Sequence, residues 1–516
     1  MARFFNIAGP CNPERHYMLP AEARLPDLLG LVEQDQYFVL HAARQTGKTT
    51  AMRAFAARLR ERGLVAVHAT LETSQGFTEV SAAEPQWIQA ITHAAALVLP
   101  APQCPPPVGA EVPVGARLHA FLSAWSREVH GRVVVLLDEV NVVSGPALVS
   151  LLRQLRAGFP DRPHAFPASI GLVGMRDLRD YLATAKDGSA VNPGSPFNIK
   201  SDSVTLRNFS AEEVGVLYAQ HATDTGQAFS PAAVARSFWW TQGQPFLVNA
   251  LARIAVGQLA AGATAVTDAH VDQAKERLVA ARTTHLDSLA ERMKEPRVAR
   301  IVEAVIAGDI PRAIAFDSDD FQYALDLGLL RHGEQGAEAA CPLYREVLAR
   351  QVTHNLQASL PPPNWPWRTA GGRLDFPALV EAFRSWWRAN ADMLVSDIAL
   401  YPEAVPHIAF MAFLQRVVNG GGRVEREYAS GRGAVDIVVD YAGDRFVVEL
   451  KRVRPRDGLD AVRASGEAQL SAYLDALGLR EGWLLVFDQH PGRSWEDRLW
   501  SGEVEVDGRL LRVRGV

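Results

Sequence analysis

Short apolar runs alternate along the chain with longer stretches of helical spacing. Tyr37-Phe38-Val39-Leu40 is one such run, followed by a glycine-containing turn. Residues 49–62, rich in Ala, Leu and Arg and stopped at Gly63, predict a helix. Leu64-Val65-Ala66-Val67, Val133 to Leu137 and Ile170 to Val173 predict further strands. Strands of unbroken apolar character that alternate with helices over residues 37–210 predict a parallel sheet covered by helices. Residues 100–113 are proline-rich and read as a surface loop. From Ser210 to about His285 the pattern turns helical. Ser210-Ala211-Glu212-Glu213 forms a capping box at its start, and Thr241-Gln242-Gly243-Gln244-Pro245 breaks it. Residues 295–355 read as a small helical domain with a hairpin, Tyr323 to Arg331 forming one helix and its end. Leu360-Pro361-Pro362-Pro363 is an extended linker. Beyond it come a helix, a strand hairpin and a further helix–strand pair.

The fold class expected is therefore α/β and multidomain, which the length of 516 residues also demands, because one hydrophobic core does not grow that large. Apolar residues at 48% and charged residues at 22% suit a folded chain. A formal charge of -5 argues against a uniformly basic coat for nucleic acid, while leaving a local basic groove open. Cys11, Cys104 and Cys341 are too far apart for a metal or disulfide framework, which fits a reducing compartment. No apolar run approaches the roughly 20 residues needed to cross a bilayer. Met1-Ala2-Arg3-Phe4-Phe5 lacks a secretory segment, so a cytoplasmic protein without a membrane partner is expected.

Ala42-Ala43-Arg44-Gln45-Thr46-Gly47-Lys48-Thr49 matches the phosphate-loop pattern G-x-x-x-x-G-K-[ST] everywhere but at its first position. Backbone N–H groups and the start of the next helix present positive dipole to phosphate oxygens. Gly47 allows close approach, Lys48 reaches the β and γ phosphates, and the Thr49 hydroxyl ligates magnesium. The candidate nucleotide-binding residues are Ala43, Arg44, Gln45, Thr46, Gly47, Lys48, Thr49 and Thr50. Ala42 stands where the pattern has glycine, and alanine resists a positive φ. Val133-Val134-Val135-Leu136-Leu137-Asp138-Glu139 supplies the second element. Asp138 leaves the carboxyl end of a buried strand, where ligands bind in open α/β sheets, and serves the magnesium ion. Glu139 is the candidate catalytic group that orients or deprotonates the attacking water.

With Gly171-Leu172-Val173-Gly174-Met175-Arg176-Asp177-Leu178-Arg179-Asp180-Tyr181 and Gly243-Gln244-Pro245-Phe246-Leu247-Val248-Asn249, these elements resemble the prokaryotic AAA-like and archaeal-type ATPases. That group is related to the signal-transducing STAND NTPases. The resemblance covers roughly residues 1–355. It implies a core over 1–208, a helical lid over 209–290 and a winged-helix domain over 291–357. It also implies that the Gly243–Pro245 turn, with Pro245, lies near the nucleotide, and Arg176, just after the fourth strand, is the candidate γ-phosphate sensor. Phe321 to Leu330, with Arg331-His332-Gly333-Glu334 as the wing, suits that winged helix. Such a domain either binds DNA or packs the lid, and packing is the favoured reading.

After a linker over 358–374, residues 375–516 carry a second candidate centre. Gly433 to Asp440 and Arg445 to Lys451 are strand-like, joined by Tyr441-Ala442-Gly443-Asp444 as a tight turn. A hairpin closed about Ala442-Gly443 puts Asp436 directly opposite Glu449, with Lys451 on the same face. Two carboxylates that close repel, and a divalent ion offsets them; oxygen ligands suit magnesium. Lys451 would position water or stabilise developing negative charge. The hairpin resembles the PD-(D/E)XK nuclease superfamily, with Asp436, Glu449 and Lys451 as its catalytic set. In the relatives fused behind AAA-like ATPases a glutamate precedes a histidine by four residues, as Glu403 precedes His407. The resemblance thereby implies Glu403 as a third metal ligand beside Asp436 and Glu449, and an auxiliary polar role for Gln469. Arg423, Arg426, Arg432, Arg452, Arg454 and Arg456 crowd the region, diluted by Glu425, Glu427 and Asp457.

The function expected is a magnesium-dependent ATPase joined to a DNA nuclease, with cleavage governed by nucleotide state or homo-oligomerisation. Two alternatives stand beside it. One is an ATP-dependent signalling switch or DNA-binding regulator whose last domain is non-catalytic. The other, resting on Ala42 alone, is a nucleotide-stabilised scaffold.

Overall fold

The computed structural model describes residues 3–25, 27–109, 111–175, 200–281, 284–306, 318–333, 336–348, 369, 371–397, 409–414, 423–430, 433–453, 457–488, 490 and 492–516. The chain separates into two compact units. One comprises Met1–Asp287, Phe316–Arg331 and Ala340–Leu343, and the other Ser288–Ala315, His332–Ala339 and Tyr344–Val516.

The first unit is built on five strands: β1 (Tyr37–His41), β2 (Val65–Thr70), β3 (Val133–Asp138), β4 (Ser169–Gly174) and β5 (Lys200–Thr205). They lie side by side in the order β2-β3-β4-β1-β5, and every pairing is parallel. Both faces are covered, which is why the apolar runs do not alternate. Phe38, Leu40, Val134 and Leu136 face helix α2 (Lys48–Glu61), after the short α1 (Leu28–Glu33). Val39, Val67, Val135, Leu137 and Leu172 face α3 (Val80–Val98), α4 (Arg117–Glu128) and α5 (Gly145–Gly158). Parallel strands bring all their carboxyl ends to one edge. There β4, sitting between β1 and β3, opens a crevice for a ligand.

A buried carboxylate organises the face opposite α2. Glu84 on α3 is fully enclosed and accepts the N–H groups of Gly115 (2.9 Å) and Leu118 (3.1 Å) at the start of α4. Gln154 on α5 accepts the N–H of His119 at 3.1 Å. Donors that a helix N-terminus leaves unsatisfied are thus met by side chains from two neighbouring helices.

After β5 this unit continues in helices α6 (Ala211–Thr225), α7 (Pro231–Thr241), α8 (Pro245–Ile254) and α9 (Asp268–Ala280). Ser210 and Glu213 make the reciprocal capping box expected of them. The Gly243–Pro245 break separates α7 from α8, with Gln242 in the left-handed region at φ 47°. Phe5 and Tyr17 from the N-terminal segment pack among Leu217, Tyr218 and Val248 of these helices.

The helix expected, with its end, over Tyr323 to Arg331 spans Asp319–Asp326. Gly328 (φ 72°) donates to Leu325 O and Leu329 to Ala324 O, a Schellman end that terminates the helix. Leu330–Gly333 is instead a strand, paired with Gly336–Ala339; Glu334 lies outside the described residues.

The second unit holds a six-stranded mixed sheet: β6 (Arg423–Ser430), β7 (Gly433–Tyr441), β8 (Asp444–Val453), β9 (Glu481–Asp488), β10 (Ser501–Val506) and β11 (Arg509–Gly515), in the order β6-β7-β8-β9-β11-β10. Helix α10 (Phe376–Asp397) buries Ile437, Val448, Leu450 and Phe487 on one face. Helix α11 (Leu459–Leu477) buries Val438, Val447, Leu484 and Val486 on the other through Leu470 and Leu474. Among the described residues no helix is long and apolar enough to cross a membrane.

Glu84→Ala would strand the buried Leu118 N–H and remove the partner of the Gly115 N–H, and is expected to cost about 1–3 kcal/mol. A urea-denaturation series compared with wild type reads this as a lower midpoint at unchanged slope.

Candidate functional site

Phosphate-loop residues 42–47 run from the end of β1 to the first turn of α2. Ala42 is buried and continues the ladder, its N–H donating to Gly174 O at 3.3 Å. The left-handed angles fall at Gln45 (φ 57°) and Gly47 (φ 90°), so alanine at the first position carries no backbone strain. The Lys48 amine turns back into the loop and donates to Ala42 O (2.7 Å) and Ala43 O (2.8 Å). Burial lowers this ammonium to about 8, against the opposing pull of Glu139 and Asp138. The Thr46 hydroxyl donates to Ala43 O at 2.9 Å, and Thr50 Oγ1 accepts the Cys11 N–H at 3.1 Å.

Loop and strand tip meet directly. Thr49 donates its hydroxyl to Asp138 Oδ2 at 2.7 Å. Asp138, 1% exposed, also lies 3.0 Å from His68 Nε2 on β2 and accepts the Glu139 N–H at 2.9 Å. Burial alone would raise the Asp138 carboxyl; the hydrogen bonds from His68, Thr49 and Glu139 outweigh it and hold it below its ordinary value. Glu139 takes a left-handed backbone (φ 57°), and its Oε2 accepts Asn141 Nδ2 at 3.0 Å. Non-glycine residues in that region concentrate at sites where geometry is imposed from outside.

Gln244 and Gly328 reach the loop from elsewhere in the unit. Gln244 caps α8 by accepting the Leu247 N–H at 2.7 Å, and its amide makes long contacts to Arg44 O (3.5 Å) and Gln45 O (3.4 Å). Pro245 is the first residue of α8 and buried. Gly328 abuts Ala43 so closely that a Cβ would stand 2.3 Å from the alanine methyl, which only glycine permits. The His285 ring packs on Phe246, centroids 4.5 Å apart and planes tilted by 32°. Arg176 lies outside the described residues.

No family model and no curated protein matches the chain. Solved structures do resemble it. The Walker-type ATPase of Pyrococcus abyssi aligns over 67% of this chain and 99% of its own, at 15% identity and a TM-score of 0.48. The Aeropyrum pernix ORC1 protein, in complex with DNA, aligns over 64% and 93% at 14% identity and a TM-score of 0.34. The RuvB Holliday junction branch migration motor of Thermotoga maritima aligns over 62% and 90%, at 14% identity and a TM-score of 0.34.

In the second unit β7 and β8 pair antiparallel from Ile437↔Val448 to Tyr441↔Asp444. This is the register on which the sequence sets Asp436 opposite Glu449, although the Asp436 side chain is outside the described residues. Glu449 is fully buried, and its Oε1 accepts Lys451 Nζ at 2.6 Å. The same amine donates to Gln469 Oε1 at 2.8 Å, and the Gln469 amide to Tyr473 Oη at 2.8 Å. Glu403 and His407 lie outside the described residues, as do Arg432, Arg454 and Arg456. Among the described residues no group of three or more His, Cys, Asp or Glu forms a metal cluster.

Sequence reasoning missed Arg24, His68 and Asn141 as site residues. For His68 a signal existed: it sits in an apolar strand, one residue before Ala69-Thr70, at the edge where the ligands gather. The others carry no local pattern.

His285 is held at about 4, below its ordinary 6.5, by burial and then by the charge of Arg44. The folded protein therefore refuses a proton that the unfolded chain accepts. The stability this group contributes above pH 6.5 is lost as pH falls toward 4. Urea midpoints across that window should fall less steeply for His285→Gln than for wild type.

Proposed function

We propose that the first unit binds and hydrolyses ATP. The observation that carries this reading is the 2.7 Å hydrogen bond from Thr49 to Asp138, which joins a lysine-bearing helix start to an acidic strand tip. Magnesium suits the donors, because a hydroxyl and a carboxylate oxygen converge on one point. Thr49 and Asp138 would hold it, and it would neutralise charge on the β and γ phosphates. Lys48 would exchange the Ala42 and Ala43 carbonyls for phosphate oxygens. Glu139 would leave Asn141 to take the proton of the attacking water. Arg176 and Pro245 would complete the γ-phosphate and base sides.

The second unit is read as a magnesium-dependent nuclease-like domain acting on DNA. Its support is a fully buried carboxylate, Glu449, whose charge is met by the Lys451 amine on the same strand, two residues on. A buried pair of this kind is costly to keep and is retained where it has another use. Asp436, Glu403 and Glu449 would hold the ion, and Lys451 would face the scissile phosphate. Strand cleavage would then follow nucleotide state or self-assembly in the cytoplasm. The non-catalytic alternative shares the same ATP site and predicts DNA binding without strand breaks.

Glu139→Gln is expected to lower ATP turnover by about 10²–10⁴-fold while leaving ATP affinity within a few-fold. Lys48→Ala should lose affinity itself; equal binding by wild type and Lys48→Ala in titration calorimetry would overturn the ATP reading. For the second unit, plasmid and linear DNA are incubated with magnesium and the full-length protein, with and without ATP. Nicking or digestion by wild type and none by Glu449→Ala is the expected pattern. Identical products from both proteins, or none from either, would sink the nuclease assignment.

A further inference from the structure

Arg24 closes a short helical turn, Ala21–Arg24, and is 6% exposed. Its Nη1 donates to Thr46 O in the phosphate loop at 2.9 Å and to Arg207 O at the root of the lid at 3.0 Å. The guanidinium lies over the Phe209 ring, 4.7 Å from its centroid. A Cβ on Gly47 would come within 3.0 Å of Nη2. Among the described residues no carboxylate stands within ion-pair distance of Arg24, and Nε has no hydrogen-bond partner. The nearby Glu213 is already engaged by Arg207 through two hydrogen bonds, at 2.6 and 2.8 Å. Arg207 in turn donates to Ala23 O at 3.0 Å, so the two segments clasp each other.

A buried cation whose partners are carbonyls alone is expensive, unless a negative charge arrives to offset it. Burial lowers the guanidinium to about 10, the sign of that cost. The peptide geometry says what it gains. Across a trans peptide the carbonyl and the next N–H point in opposite directions. Holding Thr46 O on the Arg24 side therefore turns the Gly47 N–H away from Arg24, toward the hollow of the loop.

We propose that Arg24 is a positioning residue of the nucleotide site: it sets the Thr46–Gly47 peptide for phosphate and ties the loop to the first residues of the lid. This rests on the reading of the loop as an ATP site. Its ligand class is the polyphosphate of the nucleotide, not the base, so ATP and ADP are affected alike.

Full-length wild type, Arg24→Gln, Arg24→Lys and Lys48→Ala are compared for ATP and ADP affinity by calorimetry, for turnover at saturating ATP, and for melting temperature. Arg24→Gln is expected to weaken both nucleotides about tenfold or more, near 1.4 kcal/mol, with saturated turnover within about threefold. Arg24→Lys, which keeps the charge and one donor, should recover part of the affinity. In wild type, hydrogen exchange should slow at Ala21–Arg24 and Arg207–Glu213 when ATP is added, a readout independent of whether Arg24→Gln folds. Wild-type affinity in Arg24→Gln overturns the assignment and leaves the ATP site standing. So does an equal loss in both Arg24 variants with matching drops in melting temperature, or exchange unchanged outside the loop. Failure of wild type to bind either nucleotide overturns the ATP reading, and this one with it.

Discussion

The organising constraint in the first unit is the management of charge at one edge of a sheet. Phosphate can be bound there only if positive groups are fixed in place before it arrives, because a site that had to assemble them would lose the entropy of doing so. The Thr49–Asp138 hydrogen bond at 2.7 Å makes that edge a single object. It joins β3 to the start of α2, across the crevice that β4 opens between β1 and β3. Without it the helix start and the strand tip would be two unrelated polar ends.

Around this join the protein buries an unusual set of ions. Lys48, Arg24 and Asp138 are each less than a tenth exposed. None is left bare: Lys48 borrows loop carbonyls, Arg24 borrows the carbonyls of Thr46 and Arg207, and Asp138 collects donors from Thr49, His68 and Glu139. These loans are partial. A lysine lowered to about 8 is poorly solvated where it stands, which is the condition that makes a polyanion a better partner than a carbonyl. Gln244 at the start of α8 meets two other carbonyls of the loop, Arg44 O and Gln45 O, and Arg24 ties Thr46 O to Arg207 O, so the loop is linked to both segments within the unit.

The second unit solves a related problem with different parts. Glu449 and Lys451 stand two residues apart on β8, beneath α11, whose Gln469 and Tyr473 extend the hydrogen-bond chain. The hairpin register is set by the tight turn, with Ala442 and Gly443 both at positive φ. That turn alone determines which residues of the two strands face each other.

Much of this was legible along the chain because some signals are local. Unbroken apolar runs announced β1 to β4, the capping box announced α6, and the loop motif announced the turn between β1 and α2. The hairpin turn fixed its own register through adjacent residues. Other features escaped for physical reasons. Strand β5 (Lys-Ser-Asp-Ser-Val-Thr) is polar and pairs on one side only, at the edge of its sheet, and β6 and β10, the outer strands of the second sheet, mix charged with apolar positions. The helix end at Asp326 depended on a Schellman turn at Gly328, a residue whose tight approach to Ala43 exists only in the folded chain. Arg24, His68 and Asn141 belong to the site through position in space. Sequence by itself determined the chemical inventory and the local elements that carry it. Tertiary structure decided which carbonyl each buried cation meets, because that depends on strand order and helix packing between residues as much as 183 positions apart.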